Sequence, residues 1–136
     1  MSKTVCVLDA CALIALQRGE PGADSVVAEL GNTEQVVLLH AVNLCEVYYD
    51  ALRREPAIPL ADLWRDVVSL GIVIETNCPA ELIARAGAHK AYWRRISLAD
   101  CIALALAEIR GGALITTDHH EFDPLAAAGH PIRFVR

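Results

Sequence analysis

Asp9, Glu46, Asp100 and Asp118 are the residues of this chain best suited to chemistry. Asp9 closes the apolar run Val5-Cys6-Val7-Leu8, and Asp118 closes Ala113-Leu114-Ile115-Thr116-Thr117; both runs are β-like. Glu46 and Asp100 interrupt apolar stretches of helical character. An ionised carboxylate in apolar surroundings is costly unless something pairs with it. In a parallel α/β sheet, ligands gather outside the carboxyl ends of the strands. Four acids too far apart in sequence to form one local motif therefore point to a divalent-cation site that folding assembles.

Each acid also has a structural reading. Asp9 can N-cap the helix that follows it. Asn43-Leu44-Cys45-Glu46 and Ser97-Leu98-Ala99-Asp100 both have capping-box spacing, an N-cap with an acid three residues later. Asp118 can be a turn residue, and Asp123, before Pro124, a turn or N-cap residue with a place beside a metal as the alternative. The two kinds of reading are compatible, because a helix N-terminus favours negative charge and so helps keep a metal-binding carboxylate ionised. His119 and His120 are adjacent on an irregular segment, where neighbours rarely both ligate. His40, His89 and His130 have no evident partner and read as structural or surface residues. Cys11 has no histidine tied to it by a motif, so it is not read as a nucleophile. The chain contains neither a GxSxG elbow nor a phosphate-binding GxxxxGK[ST] loop.

The elements that must position these acids alternate. Strands are expected at 4–8, 36–39, 72–75, 113–117 and 132–135. Helices are expected at 10–18, 23–30, 41–54, 60–70, 79–91 and 98–110, with a short helical turn around 119–128. Gly19 to Gly22, Gly31-Asn32, Pro56, Pro59, Gly71, Pro79 and Gly111-Gly112 supply the breaks. This order predicts an α/β sandwich, a central and mainly parallel twisted sheet flanked by helices, in one domain over 1–136.

Composition narrows the classes further. The chain is 54% apolar, yet its most apolar stretch, 98–109, contains Asp100 and Glu108 and is too short to cross a bilayer. No membrane association is expected, and the apolar excess points to a buried subunit interface. Five cysteines without paired spacing, and no export leader, fit reduced thiols in the cytoplasm. A net charge of −5 argues against a general electrostatic grip on nucleic acid. Cations do cluster locally, at Arg53-Arg54 and from His89-Lys90 to Arg94-Arg95.

Taken together, these segments resemble the PIN-domain ribonucleases, and within them the VapC-type toxins of toxin–antitoxin pairs. The resemblance runs through Val7-Leu8-Asp9-Ala10-Cys11-Ala12-Leu13-Ile14-Ala15, Asn43-Leu44-Cys45-Glu46-Val47, the run Ile96 to Ala107, and Thr116-Thr117-Asp118 with Phe122. It implies a PIN-like α/β/α fold in which Asp9, Glu46, Asp100 and Asp118 hold one or two Mg²⁺ or Mn²⁺ ions, with Asp9 and Asp100 as direct ligands. Cys11, Thr117 and Asp123 stand next to that set. It implies metal-assisted cleavage of RNA leaving a 5′-phosphate and a 3′-hydroxyl. It further implies a homodimer and a cognate VapB-type antitoxin, whose arginine reaches the acidic pocket. One departure is Cys11, where the family usually carries Ser or Thr; a thiol hydrogen-bonds more weakly near a metal or phosphate. Lys90, Tyr92, Trp93, Arg94 and Arg95 interleave cations with aromatics as single-stranded RNA binding would. The alternatives are an RNA-processing PIN nuclease without an antitoxin and a non-catalytic PIN-like binding module. A receiver-like phospho-acceptor domain would want paired acids after the first strand and a lysine at a late strand end. This chain has one acid there, and only Lys3 and Lys90.

Overall fold

The apolar runs between the breakers form strands and the amphipathic stretches form helices, in an order that is visible in a computed structural model describing residues 3–136. The strands are β1 (Thr4–Leu8), β2 (Gln35–His40), β3 (Ile72–Glu75), β4 (Ala113–Thr116) and β5 (Ile132–Phe134). The helices are α1 (Ala10–Arg18), α2 (Ala23–Leu30), α3 (Ala41–Arg54), α4 (Leu60–Ser69), α5 (Ala80–Tyr92), α6 (Leu98–Ile109) and α7 (His119–Ala127). The expected elements are all present, and the turn expected around 119–128 is a nine-residue helix.

The sheet order is β3-β2-β1-β4-β5, and each pairing is parallel. Period-2 alternation divides the strand side chains between two cores. Cys6, Leu8, Val37, Leu39 and Ile115 face one side with Leu13, Val26, Leu44, Val47, Leu63 and Val67 from α1 to α4. Val7, Leu38 and Leu114 face the other with Leu82, Leu104, Phe122 and Leu125 from α5, α6 and α7. The result is the expected three-layer sandwich, with a sheet that is parallel throughout its paired strands. Full burial of one such leucine contributes roughly 1.5–3 kcal/mol.

Geometry requires glycine at several positions, of which two bear on α1 and the central strands. Gly19 ends α1 in the left-handed region at φ 64°, where a side chain would be strained. At Gly112 a Cβ would stand 2.0 Å from the Val5 carbonyl oxygen, so only glycine allows β4 to begin this close to β1. Gly31, expected as a glycine cap, ends α2 in ordinary right-handed geometry.

The direction of chain growth changes between β1, the central strand of the 3-2-1-4-5 order, and its neighbour β4. Side chains just beyond the carboxyl ends of these two strands share the crevice where open α/β sheets place ligands.

Candidate metal centre

Asp9 is the first residue beyond β1 and is fully buried. Its Oδ1 accepts from the Ala12 backbone N at 2.8 Å, so the capping reading is correct. Its Oδ2 accepts from the Thr116 hydroxyl, whose oxygen in turn accepts from the Asp118 backbone N at 2.9 Å. Thr116, rather than the neighbouring Thr117, is the hydroxyl that ties the ends of β1 and β4 together. Asp118 caps α7, its Oδ1 accepting from Glu121 N at 3.0 Å. Ser97 caps α6 by accepting from Asp100 N at 3.1 Å, which leaves the Asp100 carboxyl free to point into the crevice. Three helices, α1, α6 and α7, therefore begin at one place, and their N-terminal dipole ends favour anionic groups there.

Asn43 does not cap α3. The cap is three residues earlier, at His40, whose Nδ1 accepts from Val42 N at 3.1 Å while its Nε2 donates to the Asn77 carbonyl at 3.0 Å. Asn43 is instead buried inside α3 and donates to the Ala99 carbonyl at 3.4 Å, and Glu46 follows one turn later. The capping-box reading of Asn43 to Glu46 is thereby corrected: a histidine fills the N-cap, a position where the sequence pattern expects a short polar side chain.

A fifth acid joins the four. One ligand atom from each of Asp100, Asp118 and Glu121 lies within 4.8 Å of the others. The Glu121 carboxyl beside Asp100 favours the protonated form of Asp100. Burial pushes Asp9 from an ordinary 3.8 up to about 7, against the pull of its two hydrogen bonds, and the charges of Asp118 and Glu46 add to the push. Asp100 is raised for the same reasons, burial first, then Glu121, Asp9 and Glu46. Glu46 is raised by burial and by Glu121. Asp100, Asp118 and Glu121 thus converge; Asp9 and Glu46 add no atom to that group, but Asp9 is tied to Asp118 through Thr116 and both acids act on the group through their charge. No lysine or arginine is among the causes acting on Asp9, Glu46 and Asp100.

The donor set suits a hard divalent cation. All five side chains offer carboxylate oxygen, the ligand type Mg²⁺ and Mn²⁺ prefer. Two buried oxygens, Glu121 Oε2 and Asn43 Oδ1, have no hydrogen-bond partner in the protein. A buried acceptor without a donor costs roughly 1–3 kcal/mol, a cost that a cation or its water shell removes.

The neighbours are arranged differently. Cys11 faces the acids, and burial together with Asp9, Asp100, Asp118 and Glu46 raises its thiol far above the ordinary range. It is a thiol at neutral pH, which agrees with its not being a nucleophile. Thr117 and Asp118 line a cleft of about 510 Å³ together with Cys11, Ile14 and Arg136. Asp123 lies against His119 Nδ1 at 2.8 Å, and His119 Nε2 donates to the Arg136 carbonyl at 2.8 Å while its ring stacks on Phe134. Both nitrogens of His119 are occupied.

In the basic and aromatic segment, Tyr92 is 76% exposed and Arg94 and Arg95 are exposed. Lys90 folds back to donate to the Arg94 and Ile96 carbonyls, each at 2.8 Å. Trp93 packs against the α5–α7 core. Cys6 and Cys101 are buried, whereas Cys45 and Cys78 are exposed. Among the described residues no helix is long and apolar enough to cross a membrane.

Glu121 escaped the sequence reading, although Asp118 and Glu121 have capping-box spacing and that signal could have marked it. His89 and His130, read as partnerless, both meet Glu108.

The family model for the PIN domain matches residues 6–127. No curated protein matches the chain. Among solved structures, a toxin–antitoxin complex from Klebsiella pneumoniae is 21% identical with a TM-score of 0.71, over 96% of this chain and 98% of that one. Mycobacterium tuberculosis VapC20, described as a sarcin-ricin loop cleaving toxin, is 19% identical with a TM-score of 0.67, over 92% and 95%. A DNA-bound VapBC from Salmonella typhimurium is 15% identical with a TM-score of 0.66, over 98% and 99%. At these identities the likeness is one of fold.

Proposed function

This chain belongs to the PIN domain family, and we propose that it is a divalent-metal-dependent endoribonuclease, the toxin of a VapBC-type toxin–antitoxin pair. The observation that carries the reading is the meeting of Asp100, Asp118 and Glu121 beside the β1–β4 crevice, with Asp9 joined to Asp118 through Thr116 and Glu46 near enough to act through its charge. The fold of two proteins that are themselves described as VapC or VapBC supports the toxin assignment.

Asp9 and Asp100, with Asp118, Glu46 and Glu121 around them, would hold Mg²⁺ or Mn²⁺. Such an ion supplies a water activated at neutral pH and offsets charge on the phosphoryl oxygens. The chain's own residues do the rest. Thr116 fixes the Asp9 carboxylate by donating to it, so that its orientation does not depend on substrate. The start of α6 presents Asp100 and stabilises its ionised form. A carboxylate not engaged with the cation, Glu46 or Asp118, accepts a proton from the attacking water. The product ends are a 5′-phosphate and a 3′-hydroxyl. Tyr92, Trp93, Arg94 and Arg95, with Lys90 bracing their loop, are proposed to contact single-stranded RNA.

The same pocket explains a protein partner. Asp118 lines the cleft, and the negative charge gathered beside it attracts a cationic side chain as well as a metal, so an antitoxin presenting an arginine would occupy the site and exclude RNA. The proposed assembly is a homodimer in the cytoplasm.

Expression of the chain in a heterologous host, with and without the neighbouring open reading frame, tests the toxin reading. Growth arrest that the neighbour's product relieves, and that Asp100→Asn abolishes, is expected. Arrest that no neighbouring product relieves would remove the toxin assignment and leave the ribonuclease standing.

A further inference from the structure

Away from the acid pocket, three side chains from three elements meet. His89 lies in the last turn of α5, Glu108 near the end of α6, and His130 in the turn entering β5. One ligand atom from each lies within 4.8 Å of the others. His89 Nε2 contacts Glu108 Oε1, and His130 Nδ1 donates to Glu108 Oε2 at 3.1 Å. The two imidazoles meet edge-on, with ring centres 5.1 Å apart. Their side chains are 13% and 22% exposed and that of Glu108 15%, so the cluster is shielded yet reachable from solvent.

The place is distinct from the acid pocket. Glu108 lies eight residues along α6 from Asp100, about 12 Å of helix rise. His130 precedes the amino end of β5, whereas Asp9 and Asp118 follow the carboxyl ends of β1 and β4.

Two neutral imidazoles and one carboxylate are a zinc donor set with one position left for water. Ligand atoms on a tetrahedral zinc stand about 3.3 Å apart, close to the 3.1 Å already separating His130 Nδ1 from Glu108. To admit an ion, Glu108 would draw back from both imidazoles, and further from His89, the tighter contact. Glu108 pairs with no lysine or arginine among the described residues, so no fixed cation competes with a dication for its carboxylate. Nitrogen ligands favour zinc over magnesium, so the two sites would select different metals.

We propose that His89, Glu108 and His130 form a zinc-binding site that clips α5 and α6 to the turn entering β5. The clip also fixes Trp93, one turn beyond His89, whose ring lies 6.1 Å from that of His130. It thereby sets the path of the exposed segment that leads to Ser97 and Asp100.

The test is equilibrium binding of Zn²⁺ to the full chain in excess Mg²⁺, which occupies the all-oxygen pocket. It uses the Trp64→Phe protein, in which Trp93 is the sole tryptophan. Calorimetry should give one Zn²⁺ per chain, and Trp93 fluorescence should follow the same isotherm. Co²⁺ should give the visible absorption of a four- or five-coordinate nitrogen–oxygen site. His89→Gln and His130→Asn each keep an N–H facing Glu108 and remove the imidazole; each should weaken zinc binding at least about tenfold. Undiminished affinity in both variants would overturn the proposal, as would a parent protein that binds no zinc. If the variants fail to fold, the parent's Co²⁺ spectrum decides, since a six-coordinate aqua-ion spectrum excludes the site. None of these readouts depends on whether the chain cleaves RNA.

Discussion

Replacing Asp9 by asparagine should reverse a pH penalty that the wild-type fold carries when no cation is bound. The Asp9 carboxyl titrates near 3.8 in an unfolded chain and at about 7 in the folded one. Between those values the folded chain holds a proton that the unfolded chain has released. Stability is therefore fully present below about pH 4 and is lost as pH rises through about 7. The whole interval is worth about 4 kcal/mol, and the part between pH 5 and pH 8 about 3 kcal/mol. A carboxamide at this position cannot titrate, so in EDTA the Asp9→Asn variant should gain on wild type by about 3 kcal/mol over that range. For a domain of this size the gain is on the order of 10 °C in Tm. Urea unfolding at several pH values in EDTA, followed by circular dichroism, measures it. Saturating Mg²⁺ should erase most of the penalty in wild type by binding the folded form, and do less for Asp9→Asn. Parallel pH profiles for the two proteins in EDTA would refute the reasoning, because they would mean that the buried carboxyl is not held protonated by its surroundings.

Three further outcomes are expected. Glu121→Gln should weaken Mn²⁺ binding and lower RNA cleavage at least about tenfold, as removal of an electrostatic group from an active site does; unchanged binding by calorimetry would exclude Glu121 from the site. Gly112→Ala should destabilise the chain by about 1–3 kcal/mol or more in urea unfolding, because its Cβ meets the Val5 carbonyl oxygen; a neutral effect would mean that β4 can move away from β1. At pH 7.5 a thiol-alkylating reagent should label Cys45 and Cys78, which are exposed, well before Cys11, whose thiol is held protonated by burial first and then by the neighbouring acids; early loss of Cys11 by peptide mass mapping would contradict its environment.

The fold was legible because its signals are local. Short β-branched runs alternate with longer helical stretches, and glycine or proline stands at most of the breaks, so strand and helix boundaries agree with the structure to within about two residues. The four acids were legible for the same reason, as each closes a strand or lies in the first turns of a helix. What escaped depends on contacts distant in sequence or on an unusual residue. Glu121 carries a local signal, its capping-box spacing from Asp118, but that its carboxyl meets Asp100 follows only from the fold. His40 took the cap expected of Asn43 because its ring is held from the far side by Asn77, 37 residues away. His89, Glu108 and His130 come from three elements, and nothing in the spacing of any one of them announces the others.

The central claim is that the converging carboxylates hold a divalent cation and that this cation is what lets the chain cut RNA. A Mn²⁺ titration of apo protein tests both halves at once, with bound Mn²⁺ read by electron paramagnetic resonance and cleavage of a single-stranded RNA followed in the same samples. Cleavage should rise in step with occupancy, be absent in EDTA, and fall at least about a hundredfold in Asp100→Asn along with the bound metal. Full cleavage in EDTA, or Mn²⁺ occupancy and cleavage undiminished in Asp100→Asn, would contradict that claim.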